Sequence, residues 1–264
     1  ISKGEYSAKG IANSSDQVGR HLADHPEARV SAVVPKPYAG YRGPLQLSGI
    51  DSVREGDFRS KRGAIRLQVS HSVGSPMNAA RDLIAKGLVG KALWDEIAKV
   101  APYQVRLASM IEQLPDENNR VTVDDTQVDA LGIPRPVLTY SIDDYVNGGW
   151  KAANELHDQM LKAVGATDIV HAEELGGVGH LMGTVRMGDD PATSVADGFG
   201  RTHDPQTLYL AGSGLFPTTG TANPTLTIAA LALRSAAEIT KALGLTPVAT
   251  PSASPASPVA TPVG

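Results

Sequence analysis

Two residues of this sequence have types and neighbours that could do chemistry. His180 lies in "ELGGVGHLMGTVRMGDD" (174–190), with Gly179 beside it and Gly183 three positions on. Such small neighbours let another molecule come close to the backbone and the ring. Imidazole also has the side chain whose ordinary pKa suits proton transfer near neutrality. The plain alternative is a histidine packed in the core or lying on the surface. Asn223 stands before Pro224 and a run, "PTLTIAALAL", that carries no charge until Arg234. Asn at the cap and Pro at the first helical position are a favoured helix start, which gives Asn223 the amides of the first turn as partners. A helix N-terminus also presents partial positive charge to whatever lies before it. The residues alone leave both readings of Asn223 open.

The remaining chemistry is narrowed by what is absent. The other histidines (21, 25, 71, 157, 171 and 203) show neither HxxxH nor HExxH spacing, and the chain has no cysteine. No metal site is therefore expected, and thiolate nucleophiles and disulfides are excluded. From Gly177 the glycines run GxGxxxG, without a strand leading in or an acidic residue about 20 positions on, so a dinucleotide fingerprint is rejected. A net charge of −4, with no Lys/Arg cluster beyond two neighbours, gives no footprint for nucleic acid. No apolar window is long enough to span a membrane.

The elements that must position these residues are legible in part. "ARVSAVV" (28–34) and "AIRLQVSHSV" (64–73) read as strands, the second by strict alternation of Ile65, Leu67 and Val69 with polar residues. Residues 40–63 read as a loop. Ser75-Pro76 starts a helical stretch to about Val100, broken near Gly87–Gly90. "YQVRLASMIEQ" and "RVTVDD", flanking "LPDENN", suggest a hairpin, and "PRPVLTYS" adds an extended piece that Pro bars from a central position throughout. Ile142 to Val164 has helical periodicity closed by Gly165. "TLYLAGSG" (207–214) reads as a short buried strand entering a tight turn, and 224–243 as a helix whose first ten positions, free of charge, are buried on nearly all sides. The stretch 246–264, built from Pro, Ala, Ser, Thr, Val and Gly, reads as a disordered tail. The fold class is α/β in content, of the α+β kind for roughly 28–170.

Taken together, "NSSDQVGRHLADHP" (13–26), "GHLMGTVRMG" (179–188) and "LYLAGSGLFPTTGTANPTLTIAALALR" (208–234) resemble the glucose–methanol–choline (GMC) family of FAD-dependent oxidoreductases. The Asn-Pro-Thr-Leu-Thr form is most similar to its bacterial sugar, sugar-acid and polyol dehydrogenases. The resemblance implies the C-terminal portion of a two-domain flavoprotein: residues 1–27 and 174–245 in the FAD domain, 28–173 an antiparallel-sheet substrate domain, 246–264 the tail. The strand–GxGxxG–helix that holds the ADP part of FAD is missing, so the expected partner is an N-terminal half of the same enzyme. Without it the chain is expected neither to bind FAD nor to be stable.

The same resemblance implies FAD as cofactor and a small sugar or polyol as substrate, oxidised at a CH–OH group by hydride transfer to flavin N5. It makes His180 the general base and gives Asn223 a hydrogen bond to the same oxygen. Pro224, Thr225 and Leu226 would face the flavin, and Ala211 and Gly212 its ribityl–phosphate region. Many relatives carry an acid where Ala211 stands, so a backbone contact is expected there. Asn13 and Ser14, with the 18–25 segment, either line the FAD cleft or pack the domain junction. Two rival readings are a flavin-containing lyase on the same fold and a non-catalytic scaffold or binding subunit. Oxidase and dehydrogenase action are both open.

Overall fold

The computed structural model describes residues 8–44, 46–70 and 75–246. The end of the strand expected over 64–73 and all but the first residue of the expected tail fall outside the described residues.

Five strands form the main path of an antiparallel sheet in the order β2 (Gln46–Ile50), β3 (Ile65–Ser70), β4 (Gln104–Ile111), β1 (Pro26–Val33) and β7 (Thr167–His171). The two-residue β8 (Gly176–Gly177) pairs with the start of β1. Alternation gives this sheet two unlike faces. Ala28, Val30, Ile65, Leu67, Leu107 and Ile111 point to one side and are buried. Helix α3 (Asp144–Ala163) covers that side with Val146, Gly149, Ala153, His157 and Leu161, a spacing of three and four that makes one stripe. The opposite face carries Glu27, Arg29, Ser31, Arg66, Gln68, Ser70 and Arg106. The register sets Arg66 across from Met110, and Met110 across from Glu27.

The helix starts are as their sequences dictate. Ser75 Oγ accepts from the Asn78 amide at the head of α1 (Pro76–Ala85), and α2 (Gly90–Val100) follows the expected break. Asp143 caps α3 in the same way, through the Val146 amide.

Four expectations are corrected. The hairpin is formed by β5 (Arg120–Val128) with β6 (Pro134–Thr139), while β4 goes to the sheet. Both edges of β4 are taken by β1 and β3, which leaves none for β5. Pro134 and Pro136 are tolerated because every strand of a two-stranded ribbon has an open edge. Residues 40–63 hold β2 as well as loop. "TLYLAGSG" makes only a bridge from Tyr209 to Arg201 and is half-exposed, there being no neighbouring strand for it among the described residues. Helix α4 (Thr225–Ala242) forms where expected, yet only Ser235 is buried on it; Leu226 is 84% and Leu233 71% exposed. No element of the described chain lies along its apolar flank.

Two predictions follow from α3. A Cβ at Gly149 would stand 2.6 Å from Ile111 Cγ2 and 3.3 Å from the Gly63 carbonyl oxygen. Gly149→Ala should therefore lower stability by about 1–3 kcal/mol in denaturant unfolding, although Ala is the better helix former. His157 is wholly buried, its Nε2 2.8 Å from Ser109 Oγ, and burial first, then the charge of His171, lowers its pKa from 6.5 to about 4. The neutral ring belongs to the folded state, so its contribution is fully present above pH 6.5 and lost as pH falls toward 4. The acid loss should approach about 3 kcal/mol and shrink in His157→Gln, read as the denaturation midpoint against pH.

Candidate active site

The segment before β1 runs antiparallel to the glycine-rich segment that holds His180. Ala23 and Met182 exchange backbone bonds of 3.1 and 2.8 Å, and the Gly19 amide donates to the Thr184 carbonyl at 2.7 Å. Continuing that register sets His25 opposite His180 and Asp24 beside both. The Asp24 carboxylate accepts three backbone amides: His25 and His180 at 2.7 Å each through Oδ1, and Gly179 at 3.0 Å through Oδ2. One buried carboxylate thus sets the direction in which the half-exposed His180 leaves its loop.

His25 is fully buried beneath His180. Their Nδ1 atoms are 2.9 Å apart, and the rings meet edge to face with centroids 5.1 Å apart. The other ring nitrogen of His25, Nε2, lies 3.2 Å from the Thr219 carbonyl. Burial first, then the neighbouring His180, pulls the pKa of His25 down; the Thr219 carbonyl opposes this in part. Thr219 is itself held by Gln113, whose amide donates to Thr219 Oγ1 at 2.9 Å. Gln113 Oε1 in turn accepts from the Asp24 amide and from Tyr140 Oη.

Asn223 follows Thr219 by four residues, so the loop that anchors His25 also delivers Asn223. Its side chain does not cap α4: the helix has no side-chain cap, and the structural start falls at Pro224. Asn223 Oδ1 instead accepts from Arg66 Nη1 at 3.0 Å, while Arg54 Nε donates to Thr221 Oγ1. Arg66 comes from the polar face of the sheet. With its oxygen engaged by a guanidinium, the exposed Asn223 side chain keeps its NH2 group as its donor. The helix-start reading of Asn223 is corrected accordingly.

The other residues singled out from the sequence fall into two groups. Thr225 and Leu226 are exposed at the uncapped first turn of α4, behind a buried Pro224. Ala211 is exposed, and Gly212 has φ 118° with open space where a Cβ would stand, so its conformation alone calls for glycine. Asn13 is turned inward: Oδ1 accepts from the Val18 amide and Nδ2 donates to the Lys9 carbonyl. Ser14 is exposed, in a surface cleft shared with Asn13, Asp204 and Pro205. Of the two glycines near His180, Gly179 is open, as expected. Gly183 is buried with φ +88°, and a Cβ there would collide with the His21 carbonyl, so its smallness serves packing within the chain. Asp24 and His25 were singled out only as part of the 18–25 segment, and Gln113 and Arg66 not at all, since partners lie 106 to 194 positions away in several cases.

Residues 115–232 match the GMC oxidoreductase family. The chain is 38% identical over 227 residues to the fructose dehydrogenase large subunit of Gluconobacter japonicus, covering 86% of this chain and 42% of that protein. It is 31% identical over 246 residues to paromamine 6'-oxidase of Streptomyces fradiae, covering 89% and 41%. It thus spans about two-fifths of the length of these relatives. The fold is similar to that of pyridoxine 4-oxidase from Mesorbium loti, with TM-score 0.54 and 15% identity over 85% of this chain and 44% of that one. A formate oxidase variant from Aspergillus oryzae RIB40 is similar at TM-score 0.57 and 14% identity, covering 86% and 48%.

Asp24→Asn tests the anchor. An amide can offer its oxygen to only one side, so an NH2 group would face either the Gly179 amide or the His25 and His180 amides. The substitution should cost about 1–3 kcal/mol in unfolding experiments, with Asp24→Ala at least as severe.

Proposed function

The chain belongs to the GMC oxidoreductase family, and on that premise we propose that it is the catalytic end of an FAD-dependent enzyme that oxidises a CH–OH group of a sugar, sugar derivative or polyol. The observation that carries this reading is a pair of presented groups on one framework. His180 is set by Asp24 beside the open Gly179, and Asn223 is set by Arg66 on a loop tied to the partner of His180. The substrate class is supported by the likeness to a fructose dehydrogenase subunit and a paromamine oxidase.

The residues fit a flavin. An uncapped helix start offers free amides and partial positive charge, as suits a group that becomes more negative when reduced. Pro224, Thr225 and Leu226 would hold the ring there, with Ala211 and Gly212 at the ribityl–phosphate part and Asn13 and Ser14 at the edge of the cleft. Residues 1–27 and 174–245 would belong to the FAD domain and 28–173 to the substrate domain. The N-terminal half of the enzyme would supply the ADP site and cover the exposed flank of α4. When bound, FAD supplies the hydride acceptor at N5.

The chain's own groups prepare the donor. A C–OH carbon gives up hydride poorly until its oxygen carries negative charge. His180 removes the hydroxyl proton as the C–H bond breaks, a role worth about 10²–10⁴-fold. Asn223 donates its amide hydrogen to the same oxygen, which stabilises the developing charge and fixes which hydrogen points at the acceptor.

The test is an anaerobic absorption spectrum of the full-length enzyme with a panel of sugars and polyols. Bleaching of the flavin bands by one of them is the expected result. Substrate turnover with unbleached flavin would favour a lyase, and a colourless full-length protein would favour a scaffold. His180→Ala should reduce turnover by about two to four orders of magnitude with the fold kept. Asn223→Ala should slow turnover with little change in melting temperature, since this side chain caps no helix.

A further inference from the structure

Resting on the role proposed for His180, we infer that His25 is a positioning residue that fixes which nitrogen of His180 carries the proton. The Thr219 carbonyl has lone pairs and no hydrogen, so His25 Nε2, at 3.2 Å, must be the donor of that contact. The Gly220 carbonyl also favours a proton at this ring. His25 is fully buried, no carboxylate among the described residues is bonded to its ring, and burial favours the neutral form. A neutral imidazole has one N–H. With that hydrogen on Nε2, His25 Nδ1 is a bare lone pair.

The ring of His180 meets that lone pair. Its Nδ1, 2.9 Å away, makes a hydrogen bond only as the donor; two lone pairs at that distance would repel. His180 is thereby held as the Nδ1–H tautomer, and its proton-accepting lone pair is on Nε2, the nitrogen not engaged by His25. Asp24 sets the backbone direction of His180 through its amide, and His25 sets the ring's protonation pattern. When Nε2 takes the hydroxyl proton, His180 becomes an imidazolium and its Nδ1–H bond to His25 becomes charge-assisted and stronger. No proton passes to His25, because His25 Nε2–H stays on Thr219. The relay thus stabilises the charged form of the base without relocating the charge.

Variants of full-length enzyme separate this role from mere packing. Asn places its side-chain oxygen where His25 has Nδ1, so His25→Asn keeps an acceptor for His180. Gln reaches to the Nε2 position and leaves none at Nδ1, and Leu has no acceptor at all. His25→Leu and His25→Gln should lower kcat by about 10- to 100-fold, the range lost with histidine-orienting partners elsewhere, with KM little changed. His25→Asn should recover most of that loss. A second reading, free of activity, is 15N NMR of imidazole-labelled enzyme: His180 should show a protonated Nδ1 and a bare Nε2 in wild type and in His25→Asn. A protonated Nε2 on His180 in the wild type overturns the inference. So does equal kcat in the Asn, Gln and Leu variants. The spectrum of the wild type decides if the Leu variant fails to fold. If His180→Ala keeps its turnover, the base assignment fails, which is distinct: loss in His180→Ala with no effect at His25 leaves the base and removes the positioning.

Discussion

The arrangement depends first on one carboxylate. Asp24 gathers the amides of His25, Gly179 and His180 and so joins the segment before β1 to a loop 155 residues later. Amides drawn from water need acceptors, and between the β8 pairing and the Ala23–Met182 bridge the glycine-rich loop has no ladder to supply them. An ionised acceptor with two oxygens answers three of them at once and is stronger than neutral carbonyls would be. Removing it would free the stretch around Gly179, where open space and a glycine backbone resist few conformations.

Around that joint the sheet divides its labour by face. The side under α3 is closed with aliphatic residues and a glycine at the closest approach, which makes a stiff plate. The other side holds Glu27, Arg29, Arg66 and Arg106. Burial raises the pKa of Glu27, and nearby Arg29 and Arg106 counter it; burial lowers that of Arg106. Arg66 extends from this side to Asn223, so a polar platform and an exposed amide are joined by one 3.0 Å bond. The apolar face gives rigidity, and the polar face gives orientation.

Periodicity made much of this legible. The alternation of Ile65, Leu67 and Val69, the Ser75-Pro76 start and the α3 stripe each read through because local pattern and global packing agree. Strand partners were another matter: the sequence around β4 and β5 favours pairing neighbours, and only the sheet shows that both edges of β4 were occupied. The hydrophobicity of α4 announced burial, whereas the described chain leaves Leu226 and Leu233 uncovered. His180 and Asn223 were found through their local company and the family resemblance. His25 lies in "ADHP" without its partner being visible, since a contact between residues 25 and 180 leaves no local trace.

The same distances along the chain bear on when the site comes into being. Helices α1, α2 and α3 and the β5–β6 ribbon are made of contacts close in sequence and can form early. The joining bonds span 155 residues from His25 to His180, 194 from His25 to Thr219 and 157 from Arg66 to Asn223. Closing such loops carries an entropy cost that local structure does not offset. A chain halted with its local elements complete therefore holds none of the paired groups. The meeting of His25 with His180 and of Arg66 with Asn223 should therefore trail the recovery of secondary structure during refolding.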